Sequence, residues 1–273
     1  MYLHQDWRVL TVGDGDLSFS WSIFKDLAVT QLTASVLDDK DTLAAKYSQN
    51  QMASLNANGV KVFHGLDICD KDCFPASLYN AFDLVIFQFP LIPAFSSKAE
   101  FESKGKLHKN TLNRLLIWRF LQHSFDYFLD PKGKQLAYVT SKDVKPYSHW
   151  NIENLTPNPQ QVGFKGWVEF QQLDFPSYQL RNVDRDKVLK STASKTYVWG
   201  NNHCDYAELN LTPSNKHQAN YCNLCGKGPF FTEDDRQVHT HSAFHLRLAG
   251  YEQLWQAYLT QNEQINLELF HSN

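Results

Sequence analysis

The sequence predicts an α/β fold, a largely parallel sheet with helices on both faces, followed by a small C-terminal module. Three observations carry this. Apolar runs of strand length alternate with helix-like stretches through the first half, the pattern of a parallel sheet with crossover helices. The length, 273 residues, exceeds one small domain and suits a large α/β unit with an appendage. A tight cysteine pair followed by histidines marks the end of the chain as a separate kind of structure.

Taken in order, the strands are WRVLTV (7–12), QLTASVL (31–37), VKVFHGL (60–66), DLVIFQF (83–89) and QLAYVTS (135–141). DTLAAKYSQNQMASLNAN (41–58) reads as helix. A second helix runs from about Thr111 to Phe128, with Leu112, Leu115, Leu116, Phe120 and Phe128 on a broad apolar face. It stops before the proline- and glycine-bearing turn DPKGK (130–134). GWVEFQQLDF (166–175) alternates more strongly, and KTYVWG or YAELNL supplies a final strand, so an antiparallel strand at the sheet edge is expected. The resulting division is a main domain over 1–209, a polar, breaker-rich linker over 210–220, and a module over 221–273.

Composition narrows the function classes. With 42% hydrophobic and 14% aromatic residues the chain is not disordered. A formal net charge of −3 gives no global attraction to nucleic acid, so any such binding must come from local patches. No run of about 18 apolar residues occurs and the first residues lack the layout of a secretion signal. An odd set of five cysteines argues against a disulfide framework. A soluble, cytoplasmic protein with no membrane attachment is the expectation.

The stretch LTVGDGDLSF (10–19) places Gly13, Asp14, Gly15 and Asp16 directly after the first strand. Ligands of parallel sheets bind beyond the carboxyl ends of the strands, and glycines there let backbone approach a ligand closely. The spacing does not match G-x-G-x-x-G, and two carboxylates repel a pyrophosphate. A donor with a cationic amino-acid end, S-adenosylmethionine (SAM), suits the acids better. Asp38 closes the second strand, 25 positions after Gly13, where a carboxylate would take ribose hydroxyls. Asp67 closes the third, where it could accept from an adenine amino group.

These blocks, LTVGDGDLSFSWSI (10–23), residues 32–70, FDLVIFQFP (82–90) and KPYSHWNIENL (145–155), resemble in this order the Rossmann-like ribosomal-RNA uridine-N3 methyltransferase family. The resemblance covers roughly residues 7–175 and implies a class I SAM-dependent methyltransferase acting on RNA. It implies a SAM site made of Gly13, Asp14, Gly15, Asp16, Ser18, Phe19, Asp38 and Asp67. It puts Gln88, Phe89 and Pro90 against the methyl group, and Tyr147, Trp150 and Asn151 at the substrate. Where the family usually reads F-N-F-P, this chain has Gln88 for the asparagine, and Leu91 stands where a histidine usually follows. Glutamine keeps the amide but carries it one methylene further. In a uridine reaction Gln88 and Phe89 would position the base, because alignment supplies most of the rate. Tyr147, His149 and Trp150 would wall the pocket or stack on the base.

In YCNLCGKGPFFTEDDRQVHTHSAFH (221–245), Cys222 and Cys225 are followed by thirteen residues to His239 and five more to His245. Two thiolates and two imidazoles at this spacing suit tetrahedral Zn2+, with a knuckle at 224–226 and the histidines on a helix. His241 offers an alternative third ligand. The wide H-x5-H spacing resembles the U1/matrin type of zinc finger, many of which bind RNA, yet few basic residues surround it, so a purely structural metal is an equal reading. Beyond RNA methylation, two alternatives stand: an RNA-docking or SAM-binding protein of the same fold without methyl transfer, and a methyltransferase for a small molecule or protein.

Overall fold

The computed structural model describes residues 1–93, 97, 99, 102, 106–182 and 185–261. Its centre is a seven-stranded sheet of order β3-β2-β1-β4-β5-β7-β6. The strands are β1 (Val9–Val12), β2 (Leu32–Ser35), β3 (Lys61–Phe63), β4 (Leu84–Gln88), β5 (Leu136–Lys142), β6 (Val162–Glu169) and β7 (Ser194–Asn201). Pairings through β5 are parallel, and β7 runs antiparallel to both β5 and β6. This is a Rossmann-like sheet, with the single reversed strand inserted inside the edge rather than forming it. KTYVWG is therefore the last strand, while YAELNL forms only a short 3-10 turn at Ala207–Leu209.

Side-chain alternation along the strands divides the core in two. Leu10, Val12, Val85, Phe87, Ala137 and Val139 face one side, packed under Leu112, Leu115 and Phe120. Val9, Leu84, Ile86, Leu136 and Tyr138 face the other, packed under Phe19, Ile23, Leu43 and Leu55. Period-two alternation in strands buried on both faces puts an apolar residue at almost every position. The covering helices are α1 (Ser18–Asp26), α2 (Lys40–Lys46), α3 (Met52–Ala57) and α4 (Lys109–His123).

Two helix expectations change. The stretch 41–58 divides into α2 and α3, because the chain between them is drawn to the glycine turn. Gln51 N–H donates to the Asp16 carbonyl at 3.0 Å, and Tyr47 reaches over Gly15, where an added Cβ would lie 2.8 Å from its hydroxyl. The helix expected over 111–128 starts earlier, at Lys109, capped by His108 Nδ1 accepting from Asn110 N–H, and its last turn is π-helical over Ser124–Phe128. It is buried nearly all round, since a C-terminal helix covers its outer side.

That helix is α6 (Ala243–Gln261), preceded in the chain by the shorter α5 (Glu233–Thr240). Residues 210–220, expected as a linker, are fastened down: Thr212 and Trp167 exchange backbone hydrogen bonds of 2.9 Å, and the Lys216 ammonium donates to Asn151 Oδ1 at 2.7 Å. No described helix is long and apolar enough to cross a membrane.

Candidate functional site

In a parallel sheet the strand order reverses between β1 and β4, and loops leaving the carboxyl ends of these neighbours open a crevice. A cavity of about 720 Å³ lies there, within the usual range of ligand pockets, about 300–1,000 Å³. Gly13, Asp14, Gly15 and Asp16 line it from β1, Asp38 from β2, Asp67 from β3, Gln88, Phe89 and Pro90 from β4, and Tyr147 from the loop after β5.

Gly13 has a φ of 62°, and an added Cβ would meet the Phe87 ring at 2.7 Å, so only glycine fits. The two aspartates behind it are committed inward. Asp14 Oδ2 accepts from Ser20 N–H at 2.6 Å and Ser20 hydroxyl at 2.5 Å, holding the start of α1. Burial, reinforced by the charge of Asp16, pushes Asp14 up to about 7 despite those bonds. Asp16 Oδ1 accepts from the Ser18 N–H and hydroxyl, and its Oδ2 accepts from Arg181 Nε at 2.6 Å. The turn is thus built by its acids, and Arg181 balances one of them. Repulsion of phosphate by two free carboxylates does not describe it.

Asp38 meets Lys46 Nζ with both oxygens, at 2.7 and 2.8 Å. Asp67 Oδ1 accepts from Cys69 N–H at 2.8 Å. Both residues line the cavity at their strand ends, and an ionised carboxylate accepts about four hydrogen bonds.

At β4, Gln88 is 8% exposed, and neither its Nε2 nor its Oε1 has a hydrogen-bond partner. Buried amides are normally paired, and an orphaned one costs about 1–3 kcal/mol. Phe89 takes φ 51°, a left-handed conformation costing a non-glycine residue roughly 1–2 kcal/mol. Its N–H is tied to the Thr140 carbonyl at 3.0 Å, and its ring packs edge-on against Phe170. Strain and an unpaired amide in consecutive residues are concentrated at this strand end.

Four expected site residues lie elsewhere. Ser18 is spent on Asp16 and on Gln179, which its hydroxyl caps, and Phe19 is buried against Phe175 and Tyr178. Both follow the turn into α1 and do not line the cavity. Trp150 is buried in the core beneath Tyr147, at 5.0 Å between rings. Asn151 lies on the far side of its loop, donating to Glu252 Oε2 at 3.1 Å and accepting from Lys216. The 3-10 turn Tyr147–His149 lets only its first residue reach the cavity.

Several lining residues carried no recognised signal in the sequence. Ser141 is buried, lines the cavity, and its hydroxyl has no partner. Lys142 follows it, its ammonium 5.5 Å from the centre of the Tyr147 ring and held below the usual lysine range by burial. Both sit at the end of β5, so the strand-end rule that led to Asp38 and Asp67 would have found them. Tyr178 and Arg181 line the opposite wall. Arg181 opens the basic stretch RNVDRDKVLKSTASK (181–195), which reads in the sequence as a substrate contact or a solvated loop, but nothing local links it to Asp16, 165 residues away.

A second cluster joins Cys222, Cys225, His239 and His245, whose ligand atoms all lie within 4.8 Å of one another. Cys225 Sγ is 3.0 Å from His239 Nε2, and Cys222 Sγ is 3.5 Å from His245 Nδ1. The knuckle closes through Gly226 N–H to the Cys222 carbonyl at 2.8 Å, with Gly226 at φ 65°. His241 is turned away, its Nδ1 bonded to the Gln237 carbonyl. The histidines lie on two helices, His239 on α5 and His245 on α6, which explains the five-residue spacing.

The relatives can now be set beside this geometry. "Heavy metal-associated isoprenylated plant protein 41" of Arabidopsis thaliana is 28% identical over 180 residues, covering 65% of this chain and 33% of its own. The chain thus spans about one third of that curated relative. Among solved structures, TrmN from Thermus thermophilus matches with 14% identity and a TM-score of 0.40, over 71% of this chain and 44% of that one. Streptococcus pneumoniae Sp1610, a putative tRNA (m1A22) methyltransferase, matches with 10% identity and a TM-score of 0.42, over 99% and 95%. The family described as rRNA (uridine-N3-)-methyltransferase BTM5-like matches residues 10–182. The glycine turn, the acids at the ends of β2 and β3 and the strained end of β4 all fall within that span, and the chain belongs to this family.

Proposed function

We propose that this protein is a SAM-dependent methyltransferase acting on RNA, with a uridine N3 of ribosomal RNA as the acceptor. The observation that carries the reading is the buried, unpartnered amide of Gln88, a residue at the end of β4 that lines a cavity together with a glycine turn and strand-end carboxylates. A glycine at position 13 that admits no Cβ fits close backbone approach by the methionine part of SAM, and Asp38 and Asp67 fit the ribose and adenine. When bound, SAM supplies a methyl group on a cationic sulfur, which leaves with the electron pair of its bond to carbon as the bond to N3 forms.

The residues of the chain supply the acceptor side. Gln88 N–H donates to a uracil carbonyl, where negative charge gathers as N3 loses its proton to water. Ser141 offers a further donor, and the Lys142 ammonium adds positive charge at the same rim. Tyr147 presents a ring on which a base can stack. Lys145 and Arg247 both lie near enough to His149 to depress it, after burial, so basic groups from the loop after β5 and from α6 meet at His149, two residues from the cavity-lining Tyr147. That convergence supports a phosphate-bearing substrate despite the acidic net charge. An rRNA substrate puts this activity in the cytoplasm, or in the nucleolus of a eukaryotic cell.

The four ligands of the C-terminal cluster fit Zn2+, whose tetrahedral structural sites use thiolates and imidazoles in this number. Such a short segment has little core, so the metal would supply its folding energy.

Calorimetry with S-adenosylhomocysteine tests the cofactor reading. Binding to the wild type, weakened at least tenfold by Asp38→Ala, is expected; no binding to the wild type contradicts it.

A further inference from the structure

We infer that the Cys/His module braces the substrate-facing loop after β5, with Glu252 and Lys216 as positioning residues that act through Asn151. This rests on the methyltransferase and zinc readings above and assigns the module a role in them.

The loop over 147–155 presents Tyr147 to the cavity, and its shape turns on Asn151, which takes the left-handed φ of 51° between two 3-10 turns. Asparagine tolerates that conformation, but something must hold it there. Both ends of its amide are held from outside the loop. Nδ2 donates to Glu252 Oε2 at 3.1 Å, and Oδ1 accepts from Lys216 Nζ at 2.7 Å. Glu252 Oε2 also accepts from Arg114 at 2.6 Å, and the Arg114 side chain is only 1% exposed. Glu153, two residues on, pairs with Lys216 at 3.8 Å and accepts from the Ser214 hydroxyl. His149 packs beside Phe244 and Tyr251 of α6.

Both braces lead to the metal-ligand cluster. His245 and Glu252 share α6, seven residues and about two turns apart, so they project from the same side of one rigid helix. The knuckle sits on the Lys216 stem, 3.5 Å from the Cβ position of Gly226 to Lys216 Cγ. A helix fixed at its start by a ligand and a lysine packed under the knuckle thus meet on one asparagine. Buried Arg114 and part-buried Lys216 and Glu252 thus gather at one contact, where paired charges can specify one docking geometry.

Hydrogen exchange on the full-length protein, with zinc content measured on the same samples, tests this. Zinc removal by chelation, and Glu252→Ala or Lys216→Met with zinc retained, should each raise exchange over 147–155 at least tenfold. Protection over 84–88 and S-adenosylhomocysteine affinity should stay within twofold. The same variants should lower kcat/KM for stripped rRNA about tenfold with the KM for SAM unchanged, and Glu252→Gln, which keeps an acceptor for Asn151, should recover part of it. Unchanged exchange over 147–155 after metal loss, with 222–245 deprotected, overturns the brace. If the protein carries no zinc, the metal reading fails, and unchanged exchange over 147–155 in Glu252→Ala and Lys216→Met then overturns the brace independently.

Discussion

Arg181 Nε lies 2.6 Å from Asp16 Oδ2, across 165 residues of sequence. The same guanidinium reaches Asp186, the Gln49 carbonyl and Gln179, so one side chain ties the segment around residue 180 over the glycine turn. Its two flanking residues, Leu180 and Asn182, line the cavity.

Arg181→Met should therefore do two things. Leaving Asp16 buried without its partner should lower unfolding stability by about 2–4 kcal/mol, and loosening the wall should weaken S-adenosylhomocysteine at least tenfold. Urea melts and calorimetry measure the two effects, and unchanged values in both would remove Arg181 from the site.

Gln88 sets stability against activity. Replacing an unpaired buried amide by an apolar side chain of similar size removes its desolvation cost, so Gln88→Leu should gain about 1–2 kcal/mol of stability. Methyl transfer should fall about 100-fold, as for loss of a donor to a developing negative charge, with cofactor affinity retained. A variant that loses stability would mean the amide has a partner within the fold.

Asp14 predicts a pH dependence. Its folded value, about 7, lies above the ordinary carboxylate value of 3.8. The folded protein therefore holds the proton more tightly than the unfolded chain, and stability falls as pH rises from about 4 to 7, by at most about 1.4 kcal/mol per unit, then levels off. Asp14→Asn keeps an acceptor for Ser20 and removes this slope. Its melting temperature should match wild type near pH 4 and exceed it at pH 8; parallel curves would assign the slope elsewhere.

For the C-terminal cluster the expected metal content is one zinc per chain, lost in Cys222→Ser and His239→Ala and kept in His241→Ala. Elemental analysis after dialysis distinguishes these. Retention in His239→Ala with loss in His241→Ala would exchange the two histidines.

Legibility in the sequence followed how local the physics is. Strand positions were readable because β1, β2, β4 and β5 are apolar runs ended by turns, and the site was readable where strand ends carry acids or glycines, at Gly13, Asp38 and Asp67. The metal-ligand set was readable because its spacing is local. The break between α2 and α3 was hidden, since Tyr47 and Gln51 leave the helix to meet the glycine turn. Trp150 and Asn151 look like pocket residues by their neighbours in sequence, but a 3-10 turn and the braces from Glu252 and Lys216 carry them away from the cavity. The basic stretch that opens at Arg181 was visible, but its pairing with Asp16 was beyond any local reading, because that partner comes from the other end of the main domain.

The central claim is tested most directly by mass spectrometry of nucleosides from large-subunit rRNA of cells with and without the gene, repeated with the purified protein and SAM on the unmodified RNA. The account predicts 3-methyluridine that disappears with the gene, returns with the wild-type protein, and does not return with Gln88→Leu. Unchanged 3-methyluridine in cells lacking the gene, with no methyl transfer to that RNA in vitro, would contradict it.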